Sequence, residues 1–167
     1  MSTAFIGLHN PKSPSNVSAV LRAARSFGAA EVFYTGSRYD RAKPFHQNAQ
    51  KWDDSLPLTP VADLCAVAQG QAVRRVAIEL VIGATPLMAY PHYHHALYLF
   101  GAEDGSLPQT LVDACDDVVY IPTIGCLNLA MTVNIVLYDR AAKLGLLAHS
   151  DASIDANRDK NNTLTVR

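Results

Sequence analysis

The chain has 167 residues, 49% of them hydrophobic, which is enough to bury one core and short for two domains. Its 14 Lys and Arg against 15 Asp and Glu exclude a polyanion-binding protein that is basic throughout. No apolar run reaches membrane-spanning length, and Met1-Ser2-Thr3-Ala4-Phe5 lacks the basic start and long apolar core of a signal peptide, so a cytosolic, cytoplasmic protein is expected.

In chain order, Ala4 to Leu8 reads as a buried strand, and Val17, Val20, Leu21, Ala24 and Phe27 recur at helical spacing up to Gly28, a good helix stop. Glu31 to Thr35 is a second strand, closed by Gly36. The polar segment from Ser37 to Asp54 carries basic groups with His46, Asn48 and Trp52, and its weak periodicity predicts a short helix or a loop. A helix is predicted over Val61 to Gln69, then strands over Arg75 to Ile82 and Ala96 to Phe100. Pro108 to Ala114 reads as a helix, Asp117 to Ile121 as a strand, and Asn128 to Leu147 as the last and longest helix. That helix carries two apolar faces: Leu129, Val133, Val136 and Leu137 form one, and Met131, Ile135, Tyr138 and Ala142 the other. Packing against one sheet requires only the first, so the second predicts a homodimer. Asp151 to Arg167 is polar and unpatterned, which predicts a single domain over 1–148 followed by a flexible tail over 149–167. Strands separated by helical segments predict an α/β fold, a mostly parallel sheet with helices on both faces.

The charges are unevenly placed. Lys12, Arg22, Arg25, Arg38, Arg41, Lys43 and Lys51 face only Glu31 and Asp40 in the first 51 residues, so the remainder is acidic. A basic amino-terminal third attracts a polyanion locally, although scattered surface cations have the same composition. Cys65, Cys115 and Cys126 lack paired spacing and are expected to be reduced thiols. His92, His94 and His95 follow Pro91 in a loop with no further ligand at metal-binding spacing, and no metal is expected.

Two glycine turns sit where a strand passes toward a helix: Phe100-Gly101-Ala102-Glu103-Asp104-Gly105-Ser106-Leu107, and Ile121-Pro122-Thr123-Ile124-Gly125-Cys126-Leu127-Asn128-Leu129. Ligands of open parallel sheets bind at the carboxyl ends of the strands, so the two turns predict the walls of one pocket. Neither fits G-x-G-x-x-G or the Walker pattern, and His9-Asn10-Pro11-Lys12 follows the first strand, which removes the warrant for a nicotinamide oxidoreductase. Arg22 points away from the stripe of Val17, Leu21 and Ala24; it is either a solvated helix arginine or a ligand for phosphate or a ribose hydroxyl. Glu103 is an exposed turn acid or an acceptor facing a ligand, and Asn128 is a helix cap or a site residue.

The stretch Asn16-Val17-Ser18-Ala19-Val20-Leu21-Arg22-Ala23-Ala24 and the two glycine turns, in this order and spacing, resemble the three motifs of the SpoU/TrmH family of RNA ribose 2′-O-methyltransferases, in the SPOUT superfamily. The resemblance runs from about Phe5 to Leu147. It implies a carboxyl-terminal trefoil knot, bound S-adenosylmethionine, and an obligate homodimer. By resemblance Leu80, Gly101, Ile121, Cys126 and Leu127 cradle the cofactor, Arg22, Glu103 and Asn128 form the catalytic set, and Asn16, Arg22, Arg25, Arg41 and Lys43 meet RNA. The family's third motif has a longer segment before a Ser-Leu-Asn or Ser-Met-Asn triplet; here Thr123-Ile124-Gly125 is short and Cys126 takes the serine's place. With no appended RNA-binding domain, the chain is similar to the small stand-alone enzymes that modify the tRNA wobble nucleotide, which puts tRNA ahead of rRNA. The alternative is a catalytically silent RNA-binding module that keeps the cofactor pocket.

Overall fold

A computed structural model describes residues 2–45, 56–67 and 72–166, and within them seven strands build one all-parallel sheet. The elements are β1 (Thr3–Leu8), α1 (Pro14–Ser26), β2 (Glu31–Tyr34), α2 (Arg38–Ala42) running into a 3-10 turn at Lys43–Phe45, β3 (Leu58–Pro60) and β4 (Arg74–Ile78). They continue with β5 (Thr85–Pro86), a 3-10 turn at Leu87–Ala89, β6 (His95–Phe100), α3 (Gln109–Asp113), β7 (Asp117–Tyr120), α4 (Leu129–Lys143) and α5 (Asp151–Asn157). The strands lie in the order β3-β2-β1-β6-β4-β7-β5.

The continuous apolar run of β6 follows from its central place, since a parallel strand covered on both faces has no wet side to keep polar. Its alternate residues divide the core. Tyr98 and Phe100 join Ile6, Leu8, Val76 and Val119 beneath α1 and α4, whereas Leu97 and Leu99 pack with Ala77, Leu64, Leu107 and Leu111 on the opposite face. α1 begins at Ser13, whose hydroxyl accepts from the Asn16 amide, with Pro14 in the first turn.

α4 lies against α1 and is fastened at its carboxyl end. Lys143 Nζ donates to the carbonyls of Leu87 (2.6 Å) and Tyr90 (3.0 Å), and Arg140 donates to Ser2 Oγ (2.6 Å) and the His94 carbonyl (2.8 Å). His92, the middle of the loop that sequence reading left without a role, is buried between Tyr98 Oη (2.7 Å) and Asp139 Oδ2 (2.8 Å).

Several boundaries differ from expectation. The segment Val61 to Val67 forms turns, not a helix: Asp63 Oδ1 accepts from the Cys65 amide and interrupts helical bonding, while the preceding Leu58–Pro60 pairs with β2 as β3. Gln69 lies outside the described residues, as do His46, Asn48, Lys51 and Trp52. β4 stops at Ile78 instead of Ile82, because the chain turns between Val81 and Ala84 and leaves Leu80, Val81 and Ile82 exposed. α4 ends at Lys143 rather than Leu147, where Gly145 takes φ +62° and the Leu146 amide reaches back to the Ala141 carbonyl at 2.9 Å. Seven residues of the expected tail form α5, opened by reciprocal hydrogen bonds between Ser150 and Ser153.

Candidate active site

A cleft of about 470 Å³ opens at the carboxyl ends of β4, β6 and β7, a volume within the range of small-molecule sites. Its wall contains all five residues expected to cradle a cofactor, Leu80, Gly101, Ile121, Cys126 and Leu127, together with Glu103 and Asn128. A Cβ at Gly101 would stand 3.1 Å from the Gly105 carbonyl oxygen and 3.2 Å from the Leu107 nitrogen, so any larger residue there would push the turn after β6 open by a few tenths of an ångström. Glu79, which sequence reading left inside a strand, braces that turn: its Oε2 accepts from the Leu107 amide (2.8 Å) and its Oε1 from the Leu80 amide (3.0 Å). No local sequence signal named this role.

One polar chain joins the three segments. Glu103 Oε1 accepts from the Ser13 amide (2.9 Å) and Asn16 Nδ2 (3.0 Å), and its Oε2 from the Lys12 amide (2.8 Å). Asn16 Oδ1 in turn accepts from Asn128 Nδ2 at 2.9 Å, and Asn128 Oδ1 caps α4 by accepting from the Ala130 amide at 2.9 Å. Partial burial raises the Glu103 pKa, but the Asn16 and backbone donors outweigh it and leave the carboxyl below its ordinary value. Glu103 is thus an ionised acceptor clamping the start of α1 to the turn after β6. Asn16, expected to face RNA, is the bridge of this network.

Arg22 and Arg25 are exposed on α1, and neither is among the residues lining the cleft. Arg41 donates to Ser37 Oγ (2.9 Å), and Lys43 Nζ lies 5.9 Å from the Tyr39 ring centroid. The Gly101–Leu107 turn bears a second polar contact on its outer side. Arg38 forks onto Asp104 at 2.8 and 2.7 Å, and Lys12 Nζ approaches at 3.3 Å. The Arg38 hydrogen bonds, assisted by Lys12, pull the Asp104 carboxyl down to about 2. The structure therefore brings Glu103, Asn128 and the five wall residues together, and leaves Arg22, Arg25, Arg41 and Lys43 outside the cleft.

A parallel α/β domain whose cleft is walled by the loops after three neighbouring strands is a ligand-binding domain of the kind that carries enzyme active sites. The model of the SpoU rRNA methylase family matches residues 3–138, and the chain belongs to that family. Among curated proteins it is 26% identical over 131 residues to the tRNA (guanosine(18)-2′-O)-methyltransferase of Escherichia coli strain K12, covering 75% of this chain and 57% of that one. The chain thus spans little more than half the length of that relative.

Solved structures share the fold. AviRb, a SpoU methyltransferase from Streptomyces viridochromogenes crystallised with AdoMet, superposes with a TM-score of 0.68 at 22% identity, over 84% of this chain and 57% of that chain. A protein solved in a study of 2-OH methylation of C/U34 on tRNA gives 0.66 at 21% identity, over 87% of this chain and 99% of that chain.

Proposed function

We propose that this protein is an S-adenosylmethionine-dependent RNA methyltransferase that methylates a ribose 2′-hydroxyl, with tRNA favoured over rRNA. The observation that carries the reading is the Glu103–Asn16–Asn128 chain, which binds the three family motifs into one cleft. The names of the E. coli relative and of the C/U34 study support tRNA, and cytoplasmic action goes with that substrate.

The cleft fits the cofactor in size and chemistry. The apolar side chains of Leu80, Ile121 and Leu127 suit an adenine ring, and the main chain around Gly101 and Cys126 offers donors and acceptors to ribose and amino-acid groups. S-adenosylmethionine bound there supplies an electrophilic methyl on a sulfonium. Arg22, from the same protomer or its partner, holds the ribose or its phosphate and favours the 2′-alkoxide electrostatically. Glu103 and Asn16 keep the start of α1 in place, and Asn128 fixes the start of α4. Arg25, Arg41 and Lys43 belong to the RNA-facing side.

The same reading includes a homodimer, a domain over 1–148 with a tail over 149–167, and a trefoil knot. The strand order supports the knot: the chain leaves β4 for β5, returns to place β6 and then β7 beside β4, and from β7 crosses back to α1. The test is to map ribose methylation in total RNA with and without the gene. Loss of one 2′-O-methyl group from a tRNA is the expected result. Methyl-donor binding with no transfer to any RNA would identify the silent RNA-binding module instead.

A further inference from the structure

A second cleft, of about 780 Å³, lies at the carboxyl ends of β1, β2 and β3 and is lined by residues of four separate segments. An ion pair links its lining to that of the first. The Gly101–Leu107 turn bounds the candidate active site on one side, and its Asp104 holds Arg38, which lines the second cleft, on the other.

The lining is mixed in a particular way. Leu64 and Leu111 supply buried apolar surface, His9, Asn10, Thr35 and Thr110 supply neutral donors and acceptors, and Arg38, Arg41 and Asp63 carry the charge. The polar groups are set rather than loose. The Asn10 amide nitrogen and His9 Nδ1 both meet Thr35 Oγ1 at 3.3 Å, and Asn10 holds φ +48°. Gly36 holds φ +78°, and a Cβ there would collide with the Asn10 side chain, so glycine leaves room for that side chain. Burial lowers the His9 pKa, which leaves a neutral imidazole able both to donate and to accept. Arg38 and Arg41 outnumber Asp63 in this lining, and Arg38 is held in place by Asp104.

A flat heteroaromatic ring with donors and acceptors on its rim, attached to an anionic backbone, matches this combination; a single-stranded nucleic acid offers that ring unstacked. We propose that the second cleft receives an unstacked nucleobase of the substrate RNA that flanks the methylated nucleotide, with the strand crossing the Asp104 wall between the two clefts. The proposal rests on the RNA methyltransferase reading and adds a specificity subsite to it.

The test uses the full chain and unfractionated tRNA. Thr110→Trp and Ala62→Trp, at exposed positions lining the second cleft and outside the first, should each raise the KM for tRNA by about tenfold or more. Neither should alter S-adenosylmethionine binding in calorimetry. Asn10→Gly, which accepts the same backbone angle and removes the amide, should raise the KM in the same direction. Photocross-linking with 4-thiouridine-bearing tRNA should tag peptides containing residues 9–10, 35–37 or 108–111. An unchanged KM in either Trp variant, or cross-links confined to residues 78–106 and 120–132 while wild-type transfer proceeds, overturns the subsite and leaves the methyltransferase reading standing. Failure of the wild-type protein to bind or methylate any tRNA overturns both.

Discussion

Glu103 stood between two readings in the sequence, an exposed turn acid or an acceptor facing a ligand. Its place between Gly101 and Gly105 raised the question, and the three donors that fill it come from Lys12, Ser13 and Asn16, about ninety residues earlier. Asn128 was legible in the same way, whereas the Asn16 bridge and the Glu79 brace depend on partners that local sequence does not name. Glu103→Gln turns one acceptor into a donor facing donors, and should cost about 1–3 kcal/mol of stability in denaturant unfolding. The pH dependence has a definite sign. The folded Glu103 pKa is depressed, so its contribution is present above the ordinary glutamate range and is lost as pH falls through the lower folded value. The acid limb of the wild-type stability curve should therefore be steeper than that of Glu103→Gln. Arg22, exposed and away from the buried stripe, should tolerate Ala without loss of fold, while transfer to RNA falls by orders of magnitude and cofactor binding persists. Near-wild-type transfer by Arg22→Ala would remove it from the catalytic role. Cys126 lines the cleft, and its exchange for Ser should change S-adenosylmethionine affinity by at most the equivalent of one modest hydrogen bond, about 0.5–1.5 kcal/mol by calorimetry.

Among the elements, α4 keeps the inner face its sequence implied, while of the outer face Met131, Tyr138 and Ala142 are exposed and Ile135 packs partly against the core. Leu129, Val133, Val136 and Leu137 are buried, whereas Met131 and Tyr138 are 56% and 62% exposed, with Phe27 meeting the Tyr138 ring edge-on. If this outer face is the proposed dimer contact, Met131→Asp with Tyr138→Asp should shift light scattering at micromolar concentration from dimer to monomer; a monomeric wild type would defeat the proposal. The strands and helices with strong local patterns, β1, α1, β6 and α4, were readable in place. Those that were missed draw their structure from elsewhere: β3 and β5 are two or three residues long and exist through pairing with β2 and β7, and α5 is set by a single pair of serines. A pattern of period two or 3.6 needs more residues than these provide.

At the scale of the whole molecule, every strand pairing among the described residues is parallel, and the central position belongs to a strand from the middle of the chain. The α/β class was readable from the alternation of elements, but the order of strands was not, because register between distant segments leaves no periodic trace. Such pairings close long loops before they gain contacts, which slows folding. A chain that must also thread as proposed should refold from denaturant in a phase on the order of seconds or longer. A single millisecond phase recovering full cofactor binding would argue against the threaded path.

The interleaved sheet also sets a schedule for the ribosome. Translation delivers β1 first, yet its inner neighbour β6 begins at His95, and β4 lies between β6 and β7, both of which are made after it. At the usual pace of about 5–20 residues per second, β1 waits roughly 5–20 s for that neighbour. Through that interval the nascent polypeptide carries bare apolar strand edges, the surfaces that recruit other unfinished chains. The growing chain thus exposes those edges until β6 is made, past its midpoint, and gains β7 only in its last third.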